Sequence, residues 1–381
     1  MVCVILSIAK NLAKSPAKFL REILRSTQDD NRRQRLIAKK QRPIAKNQRP
    51  ITKSQRPIAK SQRPIATIAA VLLTLTLCAQ ERIRFVSYNV ENLFDCVDDT
   101  LTNDNEFLPQ ATRHWTPYRY WDKLQAISRT ITAIGDDRAP DFVALCEVEN
   151  DSVMHDLTRR SALRTVRYSY LMTSSQDPRG IDVALMYKPT TFRPFAHRAL
   201  SLSQGQHTRD VLLVSGQLHM GDTLDIFVCH LPSRLNGKQS AQRRAMVVRH
   251  LCHAIDSLNQ VRSTPHIVVM GDCNDTPQSK ALQALTEEGM TCITANLSGS
   301  YRYKGKWEQI DHIYLSPTLL HTDTTTLHLA PQGAWNFAPD FLTEPEPLYG
   351  GYRPHRTYNG MRYQGGTSDH LPVCFDLWFR W

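Results

Sequence analysis

No apolar run in this 381-residue chain is long enough to span a bilayer. The longest, within Ile65–Gln80, holds about 15 residues against the ~20 that a transmembrane helix needs. The nine cysteines include no C-x-x-C pair and no zinc-ribbon spacing, so a structural zinc site is not encoded. Seven of them lie past residue 80, an odd number that implies no complete disulfide framework. Acids are scarce in residues 1–80, where Glu22, Asp29 and Asp30 face 17 lysines and arginines for a net of +14. Residues 81–381 carry 30 basic and 33 acidic side chains, a net of −3, so the overall +11 belongs to the leader. The excess of positive charge that would draw nucleic acid is therefore missing from the larger part of the chain.

What the leader does contain is a repeat. Gln34-Arg35-Leu36-Ile37-Ala38-Lys39-Lys40 is followed by Gln41-Arg42-Pro43-Ile44-Ala45-Lys46-Asn47 and by three more copies opening Gln-Arg-Pro-Ile. The period of seven does not make a coiled coil. Each Pro removes a donor and blocks helix propagation, and one Ile–Ala pair per repeat buries too little. A solvated, extended basic segment is expected over residues 1–64. Residues 65–80 have Lys60 and Arg63 before them and small or polar residues after, the layout of a secretory signal. Because such a signal belongs at an N-terminus, we expect translation to begin downstream of Met1, with residues 1–60 absent from the native product. Two alternatives stay open: an uncleaved membrane anchor with a basic tail, and a lipoprotein, since Leu75-Thr76-Leu77-Cys78 is close to a lipoprotein box. The expected location is periplasmic or extracellular.

From Glu81 onward strands and helices alternate. Arg82–Tyr88 alternates at period two and predicts a strand. Tyr120, Leu124, Ile127, Ile131 and Ile134 stand at helical spacing and predict an amphipathic helix over 119–135. Further strands are expected at 142–146, 183–187, 211–218, 224–229, 267–270, 310–315 and 373–379, with a long helix at 238–259. Strands with helices inserted between them imply an α/β domain over 81–381 in which two packed sheets are flanked by helices.

Polar side chains recur where these strands end. In Val268-Val269-Met270-Gly271-Asp272-Cys273-Asn274-Asp275-Thr276-Pro277 a buried strand runs into a turn. Asp272 could accept a proton from water, and Asn274 could donate to a phosphate oxygen; the plainer alternative is an Asx-turn. Asn89 follows the first strand, Glu147 ends the second and His230 closes Phe227-Val228-Cys229-His230. Asp311 lies in Gln309-Ile310-Asp311-His312, and Ser368-Asp369-His370-Leu371-Pro372-Val373 opens the last strand. Singly, each reads as a surface strand terminus. Six such positions, each supplying carboxylate, carboxamide or imidazole, read better as one cleft.

These motifs, above all Gly-Asp-x-Asn-Asp followed by Ser-Asp-His-x-Pro-Val, resemble the endonuclease/exonuclease/phosphatase superfamily, over about Glu81 to Trp381. The resemblance implies a four-layer α/β/β/α sandwich of two packed mixed sheets, and a divalent cation, Mg²⁺ first, with Mn²⁺ or Ca²⁺ as alternatives. It implies Glu147 as principal metal ligand, helped by Asn89 and Asp369, hard oxygen donors of the kind Mg²⁺ takes. Asp272 would position or deprotonate the attacking water, and Asn274 and Asn89 would hold the phosphate. His370 would contact the scissile phosphate with Asp311 on its other ring nitrogen, raising its pKa and fixing its orientation. His230 matches a second histidine near the leaving group. Which group is acid and which is base stays open. Arg179, in Pro178-Arg179-Gly180-Ile181-Asp182, is a candidate phosphate contact or a turn-stabilising residue. Cys229 stands where many relatives carry Asn, and Glu149 where DNase-like members place an Arg, which weakens a DNase reading.

Residues 331–366 are expected to be irregular, rich in aromatic rings and Arg, and to overhang the cleft, with Arg353 and Arg356 contacting substrate. The alternative is a self-packed loop. Gly216 and Gly221 lack the Lys of a phosphate-binding loop, and His250 with His253 lacks further zinc ligands. The expected protein is a monomeric, divalent-metal-dependent phosphate-ester hydrolase, in the first place a phosphodiesterase or endonuclease that cleaves DNA or RNA by in-line attack of water. A phosphomonoesterase, a lipid phosphodiesterase of the inositol-phosphate or sphingomyelinase type, and a silent binding module are the alternatives.

Overall fold

The computed structural model describes residues 80–202, 208–321 and 327–380. The Gln-Arg-Pro repeats, residues 65–79 and cysteines 3 and 78 lie outside the described residues. The elements, in order, are β1 (Gln80–Leu93), α1 (Pro117–Ile134), β2 (Phe142–Val148), α2 (Asp151–His155), β3 (Ser169–Met172), β4 (Asp182–Tyr187), β5 (Phe192–Leu200), β6 (Val211–Leu218) and β7 (Thr223–His230). There follow α3 (Gly237–Val261), β8 (Ile267–Asp272), α4 (Lys280–Glu287), β9 (Thr291–Cys292), β10 (Tyr301–Tyr303), β11 (Lys306–Glu308) and β12 (Asp311–Leu315). The last are β13 (Leu327–Asn336), β14 (Thr343–Pro345), β15 (Tyr352–Pro354), β16 (Tyr358–Asn359), β17 (Arg362–Tyr363) and β18 (Val373–Arg380).

Two six-stranded sheets result, in the orders β13-β18-β1-β2-β4-β3 and β5-β6-β7-β8-β12-β9. Both are mixed, with β1 parallel to β2 and β7 parallel to β8. A parallel pair needs a crossover, and α1 and α3 supply the two. Side-chain alternation then sorts the layers. Ile83, Phe85, Phe142 and Ala144 face inward against Leu212, Val214, Ile226, Val228, Val268 and Met270 of the other sheet. The intervening Val86, Tyr88, Val143 and Leu145 face outward under Leu124, Ile127 and Ile131 of α1. Phe227, Val269 and Tyr314 likewise meet Val248, Leu251 and Ile255 of α3 and Leu282 of α4. The order helix, sheet, sheet, helix is the four-layer α/β/β/α sandwich expected from sequence. At its centre Phe85 stacks on Phe142 and Phe375 at 4.5 and 4.6 Å, tying three adjacent strands together. Each such fully buried ring is worth about 1.5–3 kcal/mol of transfer free energy.

Predicted strands and helices match to within about five residues at their ends, the first strand running on to Leu93, with two further instructive differences. The expected strand 267–270 continues through Asp272, because Gly271 (φ +148°) lets the ladder persist where a Cβ would lie 1.8 Å from the Cys229 carbonyl oxygen. Residues 331–366 are less irregular than expected: 331–336 belong to β13, and β14–β15 and β16–β17 form two short antiparallel pairs. Edge strand β5 carried no alternating signal, since its register breaks between Pro194 and Ala196 and most of its side chains are exposed.

Candidate active site

Ladder register builds the site. Across three neighbouring strands His230 pairs with Asp272, and Asp272 with Asp311, so an imidazole and two carboxylates stand side by side at one end of the second sheet. In the first sheet Asn89 pairs with Cys146, next to Glu147. The ladder shifts register between Cys146 and Val148, and Glu147 takes φ +66°. Glu91 (φ +52°), Asn92 (φ +51°) and Asn274 (φ +50°) are also left-handed. Four non-glycine residues in that conformation around one cleft mark backbone whose strain is held by its surroundings.

The cleft has a volume of about 640 Å³ and is lined by Glu147, His230, Asp272, Asn274, Asp369 and His370, with Arg179 and Tyr301 among its walls. Asp272 is buried; its Oδ2 accepts hydrogen bonds from Asn89 (3.0 Å) and Asn274 (3.1 Å), and its Oδ1 accepts the Asn274 backbone N–H (2.8 Å). Burial and then the neighbouring Asp311 charge push this carboxyl up to about 7. His370 donates from Nδ1 to Asp311 Oδ2 at 2.7 Å, an oxygen that also accepts from Ser300 Oγ at 2.5 Å. Burial works against the His370 cation, but Asp311, Asp272 and Asp369 outweigh it and hold its pKa well above the ordinary value. His230 is the opposite case. Burial, with Arg209 and Arg179 nearby, keeps it neutral. Its Nε2 faces Asp272 at 3.5 Å and Glu147 at 3.8 Å, while Nδ1 is buried without a partner among the described residues. Two imidazoles in one cleft are thereby set to different charges.

Glu147 Oε2 accepts the Asn92 backbone N–H at 2.8 Å, and Oε1 lies 3.4 Å from Asn89 Nδ2. The donors here are all oxygen, from Glu147 and Asp369 beside Asp272, which suits a hard cation. Asn89 turns its amide N–H toward the acids, so ligation through its oxygen requires the opposite amide orientation. Asp272, Asp311 and His370 also bring donor atoms within 4.8 Å of one another. Asp311 Oδ2 and His370 Nδ1 are already bonded to each other.

Arg356 and Arg353 part company. Arg356 Nη2 donates to Asp369 Oδ2 at 3.2 Å, behind the cleft wall, whereas Arg353 pairs with Glu344 at 2.8 Å and does not line the cleft. Glu149 is buried and accepts the Asp95 N–H at 2.7 Å, and burial pushes it up to about 8. Beneath the site lies a group that sequence reasoning missed. Fully buried Lys123 donates to Glu91 O and, at 2.5 Å, to Thr357 Oγ1, while Glu91 Oε2 accepts the Thr357 N–H at 2.7 Å. Burial pulls Lys123 down to about 8 and pushes Glu91 up to about 7. The signal was present, since Lys123 falls on the apolar face of α1 between Tyr120 and Ile127. Ser368 is a second omission; its Oγ donates to Asn89 O (2.6 Å) and accepts the His370 N–H (3.0 Å), joining the two chain ends of the site.

The sequence profile of the Endonuclease/Exonuclease/phosphatase family matches residues 84–378. The chain belongs to this family. Members of the family are phosphoesterase hydrolases. No curated protein matches the chain. Among solved structures, an endonuclease/exonuclease/phosphatase family protein from Bacteroides thetaiotaomicron is similar with a TM-score of 0.52 at 16% identity, covering 79% of this chain and 99% of that one. The mannosyl-6-phosphatase Bt3783 of the same organism gives 0.50 at 15% identity, over 77% and 99%. TDP2 of D. rerio complexed with a single-strand DNA product gives 0.48 at 14%, over 78% and 99%. At these identities the likeness is one of fold.

Proposed function

We propose that the protein is a divalent-metal-dependent hydrolase of phosphate esters that cleaves a phosphodiester by in-line attack of water. The observation that supports this reading is that Glu147, His230, Asp272 and His370 line one cleft, with His230, Asp272 and Asp311 side by side in adjacent strands. Glu147 and Asp369, with Asn89 turned over, would hold the cation, and Mg²⁺ suits them best, with Mn²⁺ or Ca²⁺ able to substitute. When bound, the cation neutralises phosphate charge and polarises a phosphoryl oxygen.

The chain's own groups divide the remaining work. Asp272, near neutrality in pKa, orients a water and accepts its proton, where a base poised close to the working pH is most effective. Asn274 holds Asp272 in place, and Asn89 adds a donor to the same carboxylate only while it is not turned toward the cation. His370, kept cationic by Asp311, presents its Nε2 proton to the oxygen on which charge develops. Neutral His230 stands beside Asp272 with one N–H, which can hydrogen-bond the leaving oxygen without transferring its proton. Arg179 adds positive charge at the rim.

A second reading, a compact phosphomonoester or lipid headgroup, is favoured by charge. Glu91, Glu147, Asp272, Glu308 and Asp369 line the cleft against Arg179 and Arg234, and Arg234 is already bonded to Glu308. A duplex binder would have to neutralise many phosphates. Among the described residues no helix is long and apolar enough to cross a membrane. Export through residues 65–80, and a monomeric state, complete the proposal. The test is product release from plasmid DNA, RNA, a phosphodiester analogue, an inositol phosphate and sphingomyelin, with and without Mg²⁺. Release from none of them would favour a silent binding module.

A further inference from the structure

Away from the cleft, a second cavity of about 610 Å³ opens between α1, residues 160–164 and Gly365. Its charged lining is Arg129, Arg160 and Arg164 against the single acid Asp122, in a domain whose sequence is otherwise net acidic. Asp122 is occupied, accepting a hydrogen bond from Tyr363 OH at 2.7 Å. Two of the guanidinium groups are held by rings: Arg160 lies 4.7 Å from the centroid of Trp121, and Arg129 4.3 Å from that of Phe341. Arg160 has one acidic partner, Asp156 at 2.9 Å. Arg129 and Arg164 have no carboxylate partner among the described residues.

A guanidinium fixed on an aromatic face loses little further freedom when it binds, and its fork of N–H groups matches phosphate oxygens two at a time. Three mostly uncompensated forks lining one cavity ask for more than one anionic group. We propose that this cavity is an anion-binding site for a chain of linked phosphates, held by Arg129, Arg160 and Arg164 and separate from the hydrolytic cleft. A free oligophosphate and the backbone of a single-stranded nucleic acid present the same chemistry. Occupancy does not depend on the reaction assigned to the cleft.

The test uses the full chain in chelator, so that hydrolysis does not intervene, with inorganic tripolyphosphate and a phosphorothioate-linked oligothymidylate as separate probes. Calorimetric titration should give saturable binding of at least one probe. The one that binds identifies the source. If three phosphates are engaged, a bound oligonucleotide should show a log–log salt slope of about −2. Arg129→Ala/Arg164→Ala should weaken binding tenfold or more while leaving turnover of a small phosphate ester unchanged. Arg164→Glu alone, a change at an exposed position, should weaken it in the same direction. Failure of both probes to bind at physiological salt would overturn the proposal. So would wild-type affinity in both variants.

Discussion

Replacing Lys123 by Met keeps the volume of a fully buried side chain and removes its charge and donors. In the native protein Lys123 Nζ serves Glu91 O and Thr357 Oγ1, and the side chain is buried. Glu91 already sits near 7, so in the variant it sheds its charge at neutral pH for less than about 1 kcal/mol. The larger loss is two acceptors left buried without a donor, at about 1–3 kcal/mol each. Breaking a buried pair by removing one partner sets an upper range of about 3–5 kcal/mol. We therefore expect Lys123→Met to lower stability by about 3 kcal/mol, read from the urea midpoint at pH 7. A cycle with Thr357→Val should show coupling of about 0.5–3 kcal/mol, because the two side chains bond directly. The turn that carries Glu91 also carries the Asn92 N–H that anchors Glu147. Cation affinity should accordingly fall about 10–100-fold, as for partners one shell behind a metal ligand. Stability within 0.5 kcal/mol of wild type, or unchanged cation affinity in a folded variant, would refute the assignment.

Asp311→Asn removes the charge that keeps His370 cationic, and kcat should drop by about 10²–10⁴ with little change in KM. Steady-state kinetics over pH 6–9 check it, and a KM effect alone would count against the pairing. Arg353→Ala should leave KM unchanged, since its partner is Glu344, whereas Arg356→Ala frees Asp369 and should alter cation affinity. Calorimetry on the two variants separates them. Asp272→Ala should abolish activity while the far-ultraviolet spectrum and the urea midpoint confirm a folded chain.

The sandwich was legible because its strands are period-two or continuously apolar and its two long helices are amphipathic. Edge strands β3, β5 and β9 were not, since they are short or exposed and carry no burial pattern to read. In the candidate site, the polar ends of strands stood out one by one, and a polar residue abutting an apolar run costs stability unless something compensates for it. What sequence could not supply is register. That His230, Asp272 and Asp311 pair across adjacent strands, or that Ser368 reaches the Asn89 carbonyl, depends on contacts spanning up to 279 positions of chain. Arg353 and Arg356, three residues apart, look alike in sequence and face different partners. Lys123 was hidden by the expectation that a lysine on a helix reaches water.

The most direct measurement is calorimetric titration of Mg²⁺ or Mn²⁺ into the wild-type protein and Glu147→Gln, run beside phosphate-ester hydrolysis in chelator and after readdition of the ion. The account predicts saturable binding that weakens at least about tenfold in the variant, with hydrolysis lost in chelator and restored by the ion only in wild type. Full activity in chelator, or equal ion binding by both proteins, would contradict it.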